Sequence, residues 1–322
     1  MNKPIAIVAG EPNSISSEII FKTWKFKKKL NIPFLIIGSF DLLKLQKKKL
    51  RYKINIKKID KNFSYKELIS NELPIININY KQKKPFEKIS VKSNKYIFDC
   101  FSIALELSKM KKINGFINCP VSKETLFKKK HQGITEFLAN KSGKKGEEVM
   151  LIYNQKLAVT PITTHIPLSR VNREISKIKI IKKVLIIDNF YKKYLGKKPN
   201  FGILGLNPHN SSSLGEKGKD RIIYKAIKEL KRKGVSVSGP LSPDSSFVIY
   251  KKYKFDIIIG MYHDQVLTPF KALFNFNAIN VTLGLPYVRV SPDHGVAENI
   301  KGKMIANPSS LIESIKFFKN IK

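Results

Sequence analysis

The sequence predicts an α/β fold of two lobes built on a largely parallel sheet. Short apolar runs of strand length alternate with stretches of helical periodicity along the whole chain. The chain has 322 residues, 42% of them apolar, which is enough for a full core shared by two lobes. No repeat, low-complexity tail or linker interrupts the alternation, so the lobes are expected to be discontinuous: 1–120 with 281–322, and 121–280.

The elements follow in order. "PIAIVAG" reads as the first strand, and the pattern after it predicts a helix from Ser14 to Phe26. "PFLIIG" is a second strand, followed by a short helix, and "YKINI" and "LPIININ" are further strands. In "SNKYIFDCFSIALELSKMKK" the residues Ile97, Phe101, Ala104, Leu105 and Ser108 recur at helical spacing and give the helix one apolar face. "GFINCP", "VMLIY" and "LAVTPITTH" read as strands, with a helix over 176–194. "FGILGLNPH" is a strand before a helix over 219–233. "FDIIIGMYH" and "AINVTLG" are strands, and a last helix starts at Pro308.

Composition excludes several classes. No apolar run approaches the roughly 20 residues of a membrane-spanning helix. The opening "MNKPIAIVAGEP" places a strand where a secretory signal's apolar region would lie, and it is too short for one. A cytoplasmic protein without a membrane partner is expected. Cys100 and Cys119 each sit in an apolar run, as buried thiols of a reducing compartment do. A net charge of +37 suggests nucleic acid. The lysines, however, are dispersed in runs such as "KFKKKL" and "FKKKH" among Ile, Leu and Phe, with no basic arm or reading motif. Solvated lysine faces, rather than a nucleic-acid partner, account for them, and the field favours an anionic substrate.

Of five histidines, three end predicted strands: His165 in "LAVTPITTH", His209 in "FGILGLNPH" and His263 in "FDIIIGMYH". Open α/β sheets bind ligands outside the carboxyl ends of their strands. Three neutral imidazoles delivered there suit a borderline divalent metal with open coordination positions. Lysine, a fixed cation without a lone pair, could not serve. A single strand-end histidine is more often a hydrogen-bonded loop residue, and no local spacing such as HxxxH ties the three together, but three of five in one context weakens that reading.

Beyond these patterns the chain resembles the 4-hydroxythreonine-4-phosphate dehydrogenases, the NAD-dependent enzymes of vitamin B6 biosynthesis. The resemblance runs over nearly the whole length in the family's order. It rests on "AGEP" (9–12), "CPVSKE" (119–124), "GITEFLA" (133–139), "TTHIPL" (163–168), "GLNPH" (205–209), "GPLSPD" (239–244), "MYHDQ" (261–265), "NVTLGLPYVR" (280–289) and "DHGVA" (293–297). It implies a two-lobed α/β/α fold of the isocitrate and isopropylmalate dehydrogenase type, with a cleft between lobes. It also implies a homodimer whose metal site is completed across the two protomers. By position it assigns His165, His209 and His263 to the metal, and Thr135, Lys271, Asn280 and Arg289 to the substrate. The implied metal is zinc, cobalt or magnesium, of which three imidazoles favour the first two. The lobe 121–280 would carry metal, substrate and dimer contacts, and the other lobe the cofactor.

Two departures stand out. Ile134 replaces the family's substrate-contacting histidine and cannot hydrogen-bond. Either Thr135 and its neighbours suffice, or His131 substitutes, or the substrate preference has changed. In "EPNSISSE" (11–18) serines stand where many relatives have glycines, and a serine is expected to cap the following helix.

"DHGVAENIKGKMIANP" (293–308) is similar to the adenosine-binding loop of the isocitrate and isopropylmalate dehydrogenases, which implies NAD (or NADP) contacts at His294, Gly295, Ala297 and Asn307. No GxGxxG follows the first strand. The expected reaction is metal-assisted oxidation and decarboxylation of 4-(phosphooxy)-L-threonine. A sibling activity on another small hydroxy acid is the alternative, suggested by Ile134. Asp244 is a proton-transfer candidate or else a helix cap, and Lys123 a further cleft residue.

Overall fold

The computed structural model describes residues 3–127, 133–208, 218–275 and 277–322. The chain divides into two compact units. The first is residues 1–137 with 286–320, and the second is residues 138–285 with 321–322.

The first unit is built on strands β1 (Ile5–Val8), β2 (Phe34–Gly38), β3 (Ile56–Ile59), β4 (Leu73–Asn77), β5 (Gly115–Asn118) and β12 (Arg289–Pro292). Their order is β3-β4-β2-β1-β5-β12, and every neighbouring pair is parallel. β1, β2 and β5 are buried along their whole length, which is why they read as unbroken apolar runs. Helices α1 (Ser16–Trp24) and α2 (Asn94–Lys109) belong to this unit, as does the first turn of α3 (Ile134–Lys141), whose remainder from Leu138 onward falls in the second. The C-terminal helix α8 (Ser309–Phe317) also belongs to the first unit. On α2 the inward residues are Ile97, Cys100, Phe101, Ala104 and Leu107. Both cysteines are free and buried, and burial pushes the Cys119 thiol up to about 12.

The second unit carries β6 (Val149–Asn154), β7 (Leu157–Pro161), β8 (Phe201–Leu204), β9 (Val237–Leu241), β10 (Ile257–Gly260) and β11 (Ile279–Leu283). Their order is β11-β6-β7-β10-β8-β9. The pairs β11–β6 and β6–β7 are antiparallel and the others parallel. Its helices include α4 (Lys177–Phe190), α5 (Gly218–Arg232), α6 (Pro243–Ile249) and α7 (His263–Phe274). The expected α/β class with a mostly parallel sheet is what the chain adopts.

Several local expectations need correction. Only the last residue of "YKINI" lies in β3. Tyr52 instead closes the preceding helix by donating its N–H to Lys47 O, and packs its ring on Phe21 at 5.5 Å. No serine occupies the N-cap of α1; Ile15 does, without a side-chain cap. Ser14 performs the service one residue earlier, accepting from Ser16 N–H at 3.1 Å and donating to Glu11 O at 2.7 Å. The turn therefore survives without the family's glycines. Gly10 before it is obligatory: φ is +74°, and a Cβ would lie 2.5 Å from Pro120 O. Strands β9 and β12 and helix α7 were not legible as such in the sequence.

Candidate active site

β7 and β10 lie side by side with Gly260 opposite Pro161. Their pairing continues past both strand ends. Ile162 N–H donates to Gly260 O at 2.8 Å, and Thr163 gives Met261 O two bonds, from its N–H at 3.1 Å and its hydroxyl at 2.7 Å. Two residues beyond Thr163 and Met261 stand His165 and His263, whose rings lie 6.0 Å apart, inclined at 42°. His263 opens α7, which is held against the sheet by the fully buried Val266 and Phe270 among Val159, Leu204 and Ile258. Buried apolar residues thus aim this helix start at the strand ends, while the His263 side chain stays about a third exposed, at 35%.

The fit to a metal can be tested on these two rings. His263 Nδ1 lies 2.8 Å from Asp264 Oδ1; a carboxylate only accepts, so Nδ1 donates and Nε2 is the nitrogen left for a metal. With metal–nitrogen bonds of about 2.0–2.1 Å, two imidazoles on one cation set their ring centres roughly 5–6 Å apart. The observed spacing agrees. No cluster of three or more His, Cys, Asp or Glu placed to hold an ion occurs among the described residues. His209 lies outside those residues, as does His131. The chain leading to His209 is anchored at Asp220, whose carboxylate accepts from Leu206 N–H at 2.8 Å and from the Asn207 side chain.

In the first unit Arg289 is 3% exposed at the start of β12. Its Nε donates to Asn118 Oδ1 at 2.7 Å, and an Nη lies 3.4 Å from Thr135 Oγ1. Burial lowers its pKa to about 10, with Tyr287 and Glu136 opposing that shift; the guanidinium stays charged. Thr135 sits in the first turn of α3, so Arg289 and a helix N-terminus converge, a setting that favours anions. Ile134 is only 5% exposed and supplies no polar atom. Asn118, itself 3% exposed, escaped the sequence reading. A polar residue closing an otherwise apolar strand was the available signal.

The other expected residues fall as follows. Asn280 is in β11, and its Oδ1 is buried without a hydrogen-bond partner among the described residues. Lys271 is exposed in the last turn of α7. Asp244 lies in the first turn of α6, where Ser242 holds the N-cap, so the capping alternative is corrected. The Asp244 carboxylate accepts instead from Ser245 N–H at 2.7 Å.

His294 points Nδ1 at Gly295 O, 3.1 Å away, while its Nε2 is buried with no hydrogen-bond partner among the described residues. Burial lowers its pKa, so the ring is a neutral acceptor at Nε2. Gly295 is exposed, and Ala297 adopts φ +46° before a short 3₁₀ turn. Asn307 Oδ1 accepts from Ser309 N–H at 2.9 Å, starting α8. The loop is fastened to α1 by Glu18, which is fully buried. Its carboxylate accepts from Ala306 N–H and from Lys22 Nζ, both at 2.8 Å, and Lys22 in turn donates to Met304 O and Ala306 O. Nearby, Ile15 N–H donates to Val296 O, and burial raises the pKa of Glu11.

The chain is 40% identical over 317 residues to a 4-hydroxythreonine-4-phosphate dehydrogenase of Sulfurihydrogenibium sp. (strain YO3AOP1), covering 97% of this chain and 96% of that one. It is 37% identical to the protein of the same name from Aquifex aeolicus (strain VF5), over 100% and 99% of the two chains. Among solved structures, the 4-hydroxythreonine-4-phosphate dehydrogenase of Klebsiella pneumoniae superposes with a TM-score of 0.87 at 27% identity, over 99% of both chains. A terephthalate 1,2-cis-dihydrodiol dehydrogenase from Burkholderia xenovorans LB400 shares the fold at a TM-score of 0.69 and 19% identity, covering 99% and 98%. The family model described as pyridoxal phosphate biosynthetic protein PdxA matches residues 29–318, and the chain belongs to that family.

Proposed function

We propose that this protein oxidises and decarboxylates 4-(phosphooxy)-L-threonine with NAD, yielding 3-amino-2-oxopropyl phosphate, CO2 and NADH. The observation that carries the reading is the pair His165 and His263, delivered by neighbouring strand ends at a spacing that fits one cation, in a chain of this family. The donor set is imidazole with an outer carboxylate at Asp264, which suits zinc or cobalt better than magnesium. His165 and His263 would hold the ion, with His209 as the third ligand. The cation supplies Lewis-acid polarisation of a substrate oxygen, and the nicotinamide supplies the hydride acceptor.

The protein's own part is binding and orientation. Asp264 fixes the tautomer and plane of His263. Asn118 and Thr135 hold the Arg289 guanidinium in place to receive an anionic group of the substrate, with Lys271 as a second cation. Asn280, with its unpartnered buried oxygen, is suited to a donor such as the substrate's ammonium or hydroxyl. Asp244 is the proton-transfer candidate. The homodimer, with the metal site completed between protomers, belongs to the same reading, as does a cytoplasmic location. The discontinuous first unit would carry the cofactor.

His294 fits the adenosine end of NAD. A neutral ring with an orphaned acceptor at Nε2 matches the exocyclic amino group of adenine, which is a donor. Replacing His294 with Leu is expected to weaken NAD binding by roughly 3- to 10-fold, the worth of one neutral hydrogen bond. Calorimetric titration of NAD checks this. Unchanged affinity would remove His294 from the cofactor site.

The reaction itself is tested by following NADH absorbance with 4-(phosphooxy)-L-threonine before and after treatment with a chelator. NADH should form, stop on chelation and resume on addition of Co2+ or Zn2+. No NADH, or a rate indifferent to chelator, defeats the proposal. The buried, apolar Ile134 favours a second reading, in which another small hydroxy acid is preferred. Comparing kcat/KM for phosphorylated and unphosphorylated hydroxy acids in the same assay separates the two.

A further inference from the structure

We propose that Gln265 is a positioning residue that sets the geometry of the histidine-bearing strand ends. The proposal rests on the reading of His165 and His263 as metal ligands, and extends it to a side chain hydrogen-bonded to the backbone of the strand ends. Gln265 is 9% exposed and lies in the first turn of α7. Its Oε1 accepts from Met261 N–H at 2.6 Å, and its Nε2 donates to Gly205 O at 2.8 Å. One side chain thus ties the residue that follows β10 to the residue that follows β8.

The need for such a tie is physical. Past the last ladder pair, strands diverge, and their buried N–H and C=O groups lose their partners. Here Met261 is fully buried, and both its peptide groups are taken. Its C=O receives Thr163 from the β7 side, and its N–H is given to Gln265. β7, β10 and β8 are therefore laced together through Met261, two residues before His263. The lacing reaches Thr163, two residues before His165, and Gly205, on the segment leading toward Asn207.

Only a carboxamide of this length can do it. Glutamine offers a donor and an acceptor at the same reach. Glutamate lacks the donor, lysine lacks the acceptor, and methionine has neither. The sequence makes room for it at Gly260. A Cβ there would lie 2.9 Å from Gln265 Oε1 and 2.5 Å from Val266 Cγ1. A glycine whose absent side chain clears space for this amide, and a threonine completing the clamp from the other side, support a geometric role beyond satisfying one buried group.

The test uses the full-length protein stripped of metal and titrated with Co2+, read both by competition with a chromogenic chelator and by the visible absorption of the bound ion. Gln265→Met, close in volume and unable to hydrogen-bond, is expected to weaken Co2+ binding up to about 10-fold, at or below the range for loss of a group bonded directly to a ligand, because Gln265 acts through the backbone. It should also change the absorption bands, because the ligand geometry relaxes. Gln265→Glu retains the bond to Met261 N–H and should fall between wild type and Gln265→Met. Thr163→Val should move affinity in the same direction by less. If Gln265→Met does not fold, the Gln265→Glu and Thr163→Val proteins decide. Variants that bind Co2+ as tightly as wild type with an unchanged spectrum overturn the inference alone. A wild type that binds no divalent ion overturns the metal reading, and the inference with it.

Discussion

Replacing His263 with alanine is expected to abolish chelator-sensitive NADH formation while leaving the fold intact. The argument has three steps. First, the ring is the one whose surroundings are most clearly prepared for ligation: Nδ1 is engaged by Asp264 at 2.8 Å, which leaves Nε2 as the nitrogen for a metal. Second, the His165 ring lies 6.0 Å away on the neighbouring strand end, so on the proposed reading removing one imidazole takes away a ligand that the other cannot replace. The loss of metal affinity should exceed the roughly 10- to 100-fold typical of outer-shell changes. Third, the side chain is about a third exposed and lies at the start of a helix whose anchorage is Val266 and Phe270, so stability should change by only about 0.5 kcal/mol or less. The measurements are metal content after dialysis, the rate of NADH formation, and the thermal midpoint. A variant that retains stoichiometric metal and wild-type turnover would show that His263 is a loop histidine and no ligand.

The same residue shows how far the sequence could be read. That His165 and His263 sit at strand ends follows from the apolar runs before them, because parallel strands covered on both sides leave an unbroken signature in "LAVTP" and "FDIIIG". That His263 also begins a helix was hidden. The turn "HDQ" is polar and Pro269 lies inside the helix, while the anchors Val266, Leu267 and Phe270 take on meaning only against β7 and β10. β12 was missed for a related reason. "RVSP" holds an arginine and a proline in four residues, and its burial comes from pairing with β5 rather than from its own composition. The long-range clamps could not be read at all. Asn118 and Arg289 are 171 positions apart, and Glu18 meets Ala306 across 288, so nothing local in either segment announces the partner. Gln265 lay in plain view inside the quoted "MYHDQ", yet a glutamine beside His and Asp reads as surface until its two acceptor and donor contacts are seen.

Arg289→Lys is expected to raise KM for the phosphorylated substrate sharply, with little change in NAD or metal affinity. Arg289 is buried, and its Nε is committed to Asn118 and one Nη side to Thr135, so the guanidinium plane is fixed before any ligand arrives. Asn118 is neutral. It orients the guanidinium without cancelling its charge, which leaves the cation available to an anion at the first turn of α3. Lysine keeps the charge, but its three donors sit on one compact nitrogen and lack the planar fork that serves Asn118 and a bidentate anion together. The loss of a charge-assisted hydrogen bond is worth about 1.5–3 kcal/mol, or roughly 10- to 150-fold in kcat/KM. On the proposed reading the contact holds the substrate rather than the reacting carbon, so the loss should appear mainly in KM. Asn118→Asp provides the complementary arm: a carboxylate beside the guanidinium keeps its position and neutralises its charge, so KM should again rise although the arginine is intact. Steady-state kinetics across phosphorylated and unphosphorylated substrates reads both variants. If neither KM responds, Arg289 serves the packing of β5 and β12 and the anion is bound elsewhere.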